Sequence, residues 1–182
     1  MAPAQRGSPV AGGSRAVLAL GSNLAPREEW LSLGREHLAA GAEIEAETPR
    51  WNTLAIGGPS QPDFLNQLLL VRAERSGDAW LDLCHQLEAA AARRRLVSHG
   101  PRTLDVDVVL LEGPLLPGPR LKVPHPALRQ RPFLLRGAAL LVPDWIEPGS
   151  GRRIVDLAQE TLSGAWALAG DAAAAARRPR RA

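Results

Sequence analysis

The order of apolar patterns along the 182-residue chain predicts an α+β domain with a mainly antiparallel central sheet. Apolar or alternating stretches typical of strands are separated by stretches with helical spacing, in the order β-α-β-β-α-β followed by C-terminal helices. Runs of this order build a split βαβ unit, so we predict a ferredoxin-like layered sandwich with helices packed around the sheet. The strands that carry Gly21 and Asp105 are expected to be neighbours at the sheet centre.

Each predicted strand has its own pattern of burial. Residues 16–20 are a continuous apolar run, which predicts a strand buried on both faces. Residues 42–48 alternate strictly and predict a strand with one wet face, whereas residues 64–73 give a third, mostly apolar strand. Residues 103–111 alternate with β-branched members and predict the fourth, and residues 121–123 a short edge strand.

Helices are predicted in the segments between and after these strands. Pro26 suits the start of a first helix, and Asp78 suits the cap of a second. A third helical stretch carries Phe133 and Leu140, and residues 156–168 indicate a weaker final helix. The Gly- and Pro-rich loop at 53–62 is about ten residues long, which favours a functional or mobile loop.

Length and composition indicate one globular domain. With 45% hydrophobic and 23% charged residues, we assign residues 15–168 to the domain and residues 1–14 and 169–182 to disordered tails. The chain has no apolar run long enough for a membrane span and no signal-peptide pattern, so a cytoplasmic protein is expected. The single cysteine, Cys84, excludes an internal disulfide and lies among leucines, which predicts a buried thiol.

The basic pI of about 10.3 does not by itself indicate nucleic-acid binding, because the excess charge is in the C-terminal tail. Without residues 169–182 the chain has 18 basic and 18 acidic residues, since that segment holds four of the 22 basic and one of the 19 acidic residues. A nucleic-acid domain normally carries positive charge on its folded body. We therefore expect no nucleic-acid partner. A monomer is a separate expectation.

The strand at 103–111 carries the most informative pattern in the chain. Alternation places Asp105 and Asp107 on one face, roughly 6.5–7 Å apart at Cα, where two carboxylates repel unless a cation lies between them. Such oxygen ligands suit Mg²⁺ bound together with substrate phosphates, and Arg102 precedes them on the chain. The alternative is a solvated strand face with two acids paired to surface arginines.

Phosphate binding would have to depend on arginines and metal, because neither common glycine-rich phosphate loop is present. The available donors are Arg93, Arg95, Arg102, His125 and Arg131. The arginines at 93–95 have a second explanation, since cations complement the dipole at the end of a helix. Asn66, polar within an apolar strand, is either a structural amide or a ligand-binding one.

The sequence resembles the 6-hydroxymethyl-7,8-dihydropterin pyrophosphokinases of folate biosynthesis over about residues 16–148. The motifs that carry the resemblance are Leu20-Gly21-Ser22-Asn23-Leu24, Gln61-Pro62-Asp63-Phe64-Leu65-Asn66, Glu88 with Arg93 and Arg95, Gly100-Pro101-Arg102-Thr103-Leu104-Asp105-Val106-Asp107, and Val123-Pro124-His125 with Arg131 and Phe133. The resemblance implies transfer of pyrophosphate from ATP to the hydroxymethyl group of the pterin, which leaves AMP.

The same resemblance implies roles for individual residues. Asp105 and Asp107 correspond to ligands of two Mg²⁺ ions. The positions that correspond to contacts with the ATP phosphates are Arg93, Arg102, His125 and Arg131. Arg120 and Lys122 correspond to the nucleotide site, Glu88 to a position near it, and Arg95 to a mobile-loop arginine that assists catalysis. The pterin pocket corresponds to Thr53, Ile56, Phe64, Asn66 and Phe133, with His99 where a tryptophan often closes over the pterin.

Two other functions are compatible with parts of the pattern. A metal-dependent nucleotidyltransferase also uses paired aspartates on a strand, but it would release pyrophosphate from ATP instead of AMP. A nucleic-acid-binding module would use the arginine-rich tail, and truncation at residue 168 would abolish its binding.

Overall fold

The computed structural model describes residues 13–56, 58–75, 77–93, 100–113 and 120–163, with side chains as far as residue 161. Its elements are β1 Ser14–Ser22, α1 Arg27–Ala39, β2 Glu43–Glu47, β3 Trp51–Thr53, β4 Phe64–Ala73, α2 Asp78–Ala90, β5 Asp105–Leu111, α3 Pro132–Leu141, β6 Ile146–Glu147, β7 Arg152–Arg153 and α4 Ile154–Ser163. Ser14 thus belongs to β1, although we assigned it to the N-terminal tail. Among the described residues, no helix is both long and apolar enough to cross a membrane.

The main sheet has the order β2-β4-β1-β5, with β3 also paired to β4, and every pairing is antiparallel. This confirms the predicted α+β, ferredoxin-like sandwich. β1 and β5 are neighbours as predicted, but β5 does not lie at the centre, because β4 occupies the other side of β1. β5 is an edge strand of the described sheet, and its Val109 carbonyl accepts the backbone N–H of His125 at 2.9 Å.

Two apolar layers hold the helices against the sheet. One face of β1, with Leu18 and Leu20, packs against α1 and α2 through residues such as Leu31 and Trp80. The other face, with Val17, packs against the cluster that contains α3 and α4. Burial on both sides explains why the sequence of β1 is continuously apolar rather than alternating. Cys84 lies in the first layer as a buried free thiol, as predicted.

Several local predictions differ from the structure. Asp78 is the first residue of α2 and not its cap; the cap position is Gly77, and the Asp78 carboxylate instead accepts the backbone N–H of Leu121 at 2.9 Å. Residues 121–123 form no strand; among the described residues, the backbone bond from this region to β5 comes from His125, just beyond the segment. α4 begins at Ile154, two residues before the predicted start, and residues 164–168 lie outside the described residues.

Candidate active site

The candidate site begins from one row of residues across three strands. Gly21 on β1 is paired with Asn66 on β4 and with Asp105 on β5, so the three lie side by side. α3 covers the same face of the sheet and closes one side of a cleft. The cleft is lined by Ala19, Leu20, Gly21, Thr53, Leu54, Ile56, Gln61, Phe64, Asn66, Arg102, Asp105, Asp107, Arg131, Pro132, Phe133 and Leu134.

The two aspartates of β5 both reach this cleft but have different surroundings. Asp105 accepts from Arg93 Nη1 at 2.6 Å and forms an ion pair with Arg102 Nη2 at 2.8 Å, so each of its oxygens faces a guanidinium. Asp107 is 41% exposed at its side chain and lies 3.7 Å from His125 Nε2. Burial by surrounding protein and the charge of Asp105 raise the pKa of Asp107 to about 6, against the opposing charge of Arg131.

The cleft offers two carboxylates to a cation. The described part of the chain contains no group of three histidine, cysteine or acidic side chains arranged to hold a metal ion. Asp105 and Asp107 lie on one strand face, and the charge of Asp105 contributes to the raised pKa of Asp107. A divalent cation between them would relieve this repulsion between the two carboxylates. Mg²⁺ typically combines one or two carboxylates with water and substrate phosphates, which fits Asp105 and Asp107.

Arg93 is held in place by a buried carboxylate behind the cleft. Glu88, near the end of α2, accepts from Arg93 Nη1 and from the backbone N–H of Val106 at 3.1 Å. Val106 lies between the two aspartates, so Glu88 also ties the free edge of β5 to α2. Arg93 is therefore aimed at Asp105, a contact that the helix-dipole explanation does not predict.

Arg102 connects the carboxylates to the aromatic part of the cleft. Its guanidinium lies over the ring of Phe64, 4.9 Å from the centroid, and Nη1 donates to the Gly100 carbonyl at 3.2 Å. Its Nε is buried and finds no hydrogen-bond partner within the described residues. A buried donor without an acceptor is costly, so this nitrogen has capacity for an anionic ligand.

All five described residues that the resemblance assigns to the pterin pocket line the cleft. They are Thr53, Ile56, Phe64, Asn66 and Phe133. The amide of Asn66 is 6% exposed and donates from Nδ2 to Thr53 Oγ1 at 2.7 Å. A Cβ on Gly21 would lie 2.6 Å from Asn66 Oδ1, so this amide occupies space that only a glycine leaves free.

His125 lies beside the carboxylates but is not part of the cleft lining. Its Nδ1 accepts the backbone N–H of Ala127 at 3.1 Å, which leaves Nε2 directed toward Asp107. Burial, and then the charge of Arg131, lower the pKa of His125, so the imidazole is neutral at pH 7.

The remaining predicted nucleotide residues lie farther away. Arg120 pairs with Asp82 at 2.8 Å and with Asp78 at 3.5 Å, at the opposite end of α2 from Glu88. Lys122 is exposed, and neither residue lines the cleft. Arg95 and His99 lie outside the described residues, so their assignments stay predictions.

The sequence patterns gave no role to several residues that line the cleft. Leu54 and Ile56 are exposed apolar side chains of the 53–62 loop, at 71% and 65%, and only Ile56 was assigned to the pterin pocket. Gln61 and Pro132 also line the cleft. The unusual length of the 53–62 loop was the sequence feature that could have pointed to Leu54 and Gln61. Pro132 carried no such signal, because proline is common at the first position of any helix.

Comparisons with known proteins identify the family. The model of the 7,8-dihydro-6-hydroxymethylpterin-pyrophosphokinase family matches residues 17–143. The 2-amino-4-hydroxy-6-hydroxymethyldihydropteridine pyrophosphokinase of Synechocystis sp. is 35% identical over 156 residues, which cover 85% of this chain and 80% of that protein. The enzyme of the same name from Methylorubrum extorquens is 36% identical over 138 residues, which cover 75% and 87%.

Solved structures show the same fold at low sequence identity. A Plasmodium falciparum HPPK-DHPS structure with pteroate aligns with a TM-score of 0.64 at 12% identity, over 86% of this chain and 44% of that one. An HPPK-DHPS structure in complex with substrates gives 0.62 at 11% identity, over 83% and 44%. This chain thus spans less than half the length of those two proteins. The chain belongs to the 7,8-dihydro-6-hydroxymethylpterin-pyrophosphokinase family, and it is a pyrophosphokinase of folate biosynthesis.

Proposed function

We propose that the protein transfers the pyrophosphoryl group of ATP to the hydroxymethyl group of 6-hydroxymethyl-7,8-dihydropterin, with AMP as the second product. The observation that carries this proposal is the row formed by Asn66, Gly21 and Asp105. It joins an amide-lined, aromatic pocket to a pair of carboxylates surrounded by arginines. The aromatic pocket would recognise a flat heterocycle, and the carboxylates with their arginines would recognise a metal-bound polyphosphate.

Without ligands, the acidic and basic side chains on the phosphate side of the cleft pair with one another. A bound ligand could therefore replace these partners one for one. Arg93 and Arg102 each pair with Asp105. When a metal–triphosphate enters, the carboxylates would turn to the cations and the guanidiniums to phosphate oxygens. No charge is then left buried without a partner, which limits the cost of desolvation. Arg131 and neutral His125 flank the same region and would contact the phosphates as well.

The metal would be held by Asp105 and Asp107, as two Mg²⁺ ions. When bound, Mg²⁺ supplies neutralisation of the charge on the transferring group, which is the main requirement of phosphoryl-type transfer. The chain itself supplies orientation. Arg93, held by Glu88, and Arg102, fixed at the start of β5, would hold the polyphosphate in line with the pterin hydroxyl.

The pterin half would hold the ring between Phe64 and Phe133. Offset stacking on aromatic side chains is favourable for a flat bicyclic ring. Asn66, oriented by its bond to Thr53, would pair with the polar edge of the ring. Ile56 and Leu54 at the cleft mouth would help to exclude water over the bound substrate.

The other predictions for this protein belong to the same proposal. Glu88 would act from behind Arg93, and Arg120 and Lys122 would belong to the outer part of a nucleotide site. Arg95 and His99 would complete the site on binding. We further propose a monomeric cytoplasmic enzyme with its domain at residues 15–168, flanked by disordered tails, and with no nucleic-acid partner.

Product analysis tests the proposal directly. The protein is incubated with labelled ATP, Mg²⁺ and 6-hydroxymethyl-7,8-dihydropterin, and AMP together with the pterin diphosphate is expected. Release of pyrophosphate with a nucleotidylated product would support the nucleotidyltransferase alternative. Binding of nucleic acid that is lost on truncation at residue 168 would contradict the absence of a nucleic-acid partner.

A further inference from the structure

Asn23, directly after β1, is a buried amide with all of its hydrogen bonds directed at the two halves of the cleft. Its side chain is 2% exposed. Oδ1 accepts the backbone N–H of Arg102 at 2.8 Å, while Nδ2 donates to Gln61 Oε1 at 2.9 Å and to the Pro62 carbonyl at 3.1 Å. The backbone N–H of Asn23 also donates to the Arg102 carbonyl at 3.2 Å, which makes the link to Arg102 reciprocal.

The two segments that Asn23 joins are distant in sequence. Arg102 is 79 residues away and precedes the carboxylate strand β5, whereas Gln61 is 38 residues away and belongs to the 53–62 loop. Arg102 and Gln61 both line the cleft. The Asn23 side chain therefore fixes the position of a phosphate-side arginine relative to the pterin-side loop.

The loop end that Asn23 holds is also held from outside. Arg27 Nη1 donates to the Asp63 carbonyl at 2.9 Å and to Asn52 Oδ1 at 3.0 Å. Residues 61–63 are thus anchored on two sides, whereas Leu54 and Ile56 at the other end of the loop are exposed. The anchored end sets where the loop begins its path over the cleft.

We propose that Asn23 is a positioning residue for the reaction, which rests on the function proposed above. Its carbonyl oxygen sets the backbone of Arg102, and its amide nitrogen sets the loop end at Gln61 and Pro62. Neither branch touches the substrates. The side chain acts by holding the phosphate-side and pterin-side groups at a fixed separation, and separation errors of that kind are costly in group transfer.

The two branches can be separated by one conservative substitution. Asn23→Asp keeps an oxygen that accepts from Arg102, but removes the donor to Gln61 and Pro62 and places a second oxygen against the Pro62 backbone carbonyl. The loop end is then repelled while the Arg102 branch remains. Asn23→Ala removes both branches together. A matched control is Gln67→Ala, because Gln67 is also a buried amide, donates to the Thr48 carbonyl at 3.0 Å, and does not line the cleft.

The experiment measures two dissociation constants by calorimetry for each full-length variant. The first is for the Mg²⁺ complex of α,β-methylene ATP alone, and the second is for 6-hydroxymethyl-7,8-dihydropterin with that complex saturating. For Asn23→Asp we expect the pterin constant to rise by about tenfold with the nucleotide constant within twofold of wild type. For Asn23→Ala both constants should rise, and for Gln67→Ala neither should.

The outcomes separate a positioning role from a merely structural one. If the Asn23 variants lose thermal stability as Gln67→Ala does but keep both constants within twofold, the positioning role is refuted. Equal weakening of both ligands by Asn23→Asp would refute the assignment of the two branches. If Asn23→Ala does not fold, Asn23→Asp still decides, since it keeps the Arg102 branch and should raise the pterin constant selectively. Failure of the wild-type protein to bind either ligand would instead refute the proposed function, and the positioning role with it.

Discussion

Gly21→Ala is the smallest change that should disable the pterin half of the site. The added Cβ would lie 2.6 Å from Asn66 Oδ1, whereas ordinary contacts begin at 3.4 Å, so the amide must withdraw by about 0.8 Å. The backbone itself tolerates alanine, because Gly21 has no positive φ. The cost therefore falls on the position of Asn66 and not on the conformation of β1.

The size of the effect follows from the hydrogen bond that Asn66 makes. Its Nδ2 lies 2.7 Å from Thr53 Oγ1, and a displacement of that size away from Thr53 would take this pair beyond the usual limit of about 3.2 Å. Loss of a net contribution of about 1–1.5 kcal/mol corresponds to about 5- to 13-fold weaker pterin binding. Binding of the Mg²⁺–nucleotide complex should be unchanged, because the Asn66 amide is not among the residues proposed to bind the nucleotide.

The assay is calorimetric titration of pterin in the presence of a saturating non-hydrolysable nucleotide. Gly34→Ala is the control, because its Cβ would also be crowded, at 2.9 Å from Leu104 Cδ2, but on the buried side of α1. That variant should lose stability and keep its pterin affinity. Thr53→Val removes the same hydrogen bond without crowding and should weaken pterin binding to a similar degree. Wild-type affinity in Gly21→Ala would show that the position of Asn66 does not matter for the ligand.

Three further outcomes are expected. Asp107→Asn should lower turnover by at least about 100-fold with the fold intact, because the cations lose a ligand; turnover near wild type would contradict the metal assignment. Burial favours the protonated form of Glu147, but hydrogen bonds from Ser150, Gly149 and Arg129 lower its pKa on balance. Glu147→Gln should therefore lower the free energy of unfolding by about 1–3 kcal/mol at pH 7. In urea titrations, this difference from wild type should shrink as the pH falls below about 4.5. Burial raises the pKa of the Cys84 thiol, so a disulfide reagent at pH 8 should label it only in denaturant, and rapid labelling of the native protein would refute its burial.

The strands of the fold were predictable where burial leaves a long signal. The continuous apolar run of β1 and the ten-residue run of β4 gave bounds within two residues of those observed, because both faces of these strands are covered. β3, with three residues, is too short to show a period, and the same holds for β6 and β7. Their pairing depends on which strand edge is free, which local patterns do not contain.

The site was predictable to the extent that its residues follow strand alternation or a motif. Alternation alone placed Asp105 and Asp107 on one face, and both reach the cleft. No pattern could reveal that Glu88 binds the backbone between them, because that contact depends on how α2 packs against the edge of β5. Arg120 pairs with acids at the far end of α2, so its nucleotide role rests on the resemblance and stays a prediction.

Under the proposed function, the register of the sheet sets the distance between the pterin-binding and the phosphate-binding groups. Neighbouring strands lie about 4.7–4.9 Å apart, so two strand spacings, about 10 Å, separate Asn66 from Asp105 across Gly21. A bicyclic ring whose polar edge meets Asn66 would therefore extend its hydroxymethyl arm toward the groups around Asp105. The glycine between them matters because a side chain there would fill the floor on which the ring must lie. A strand slip of one residue would turn Asn66 and the aspartates to opposite faces, so the proposed reaction requires the observed pairing of β1 with both neighbours.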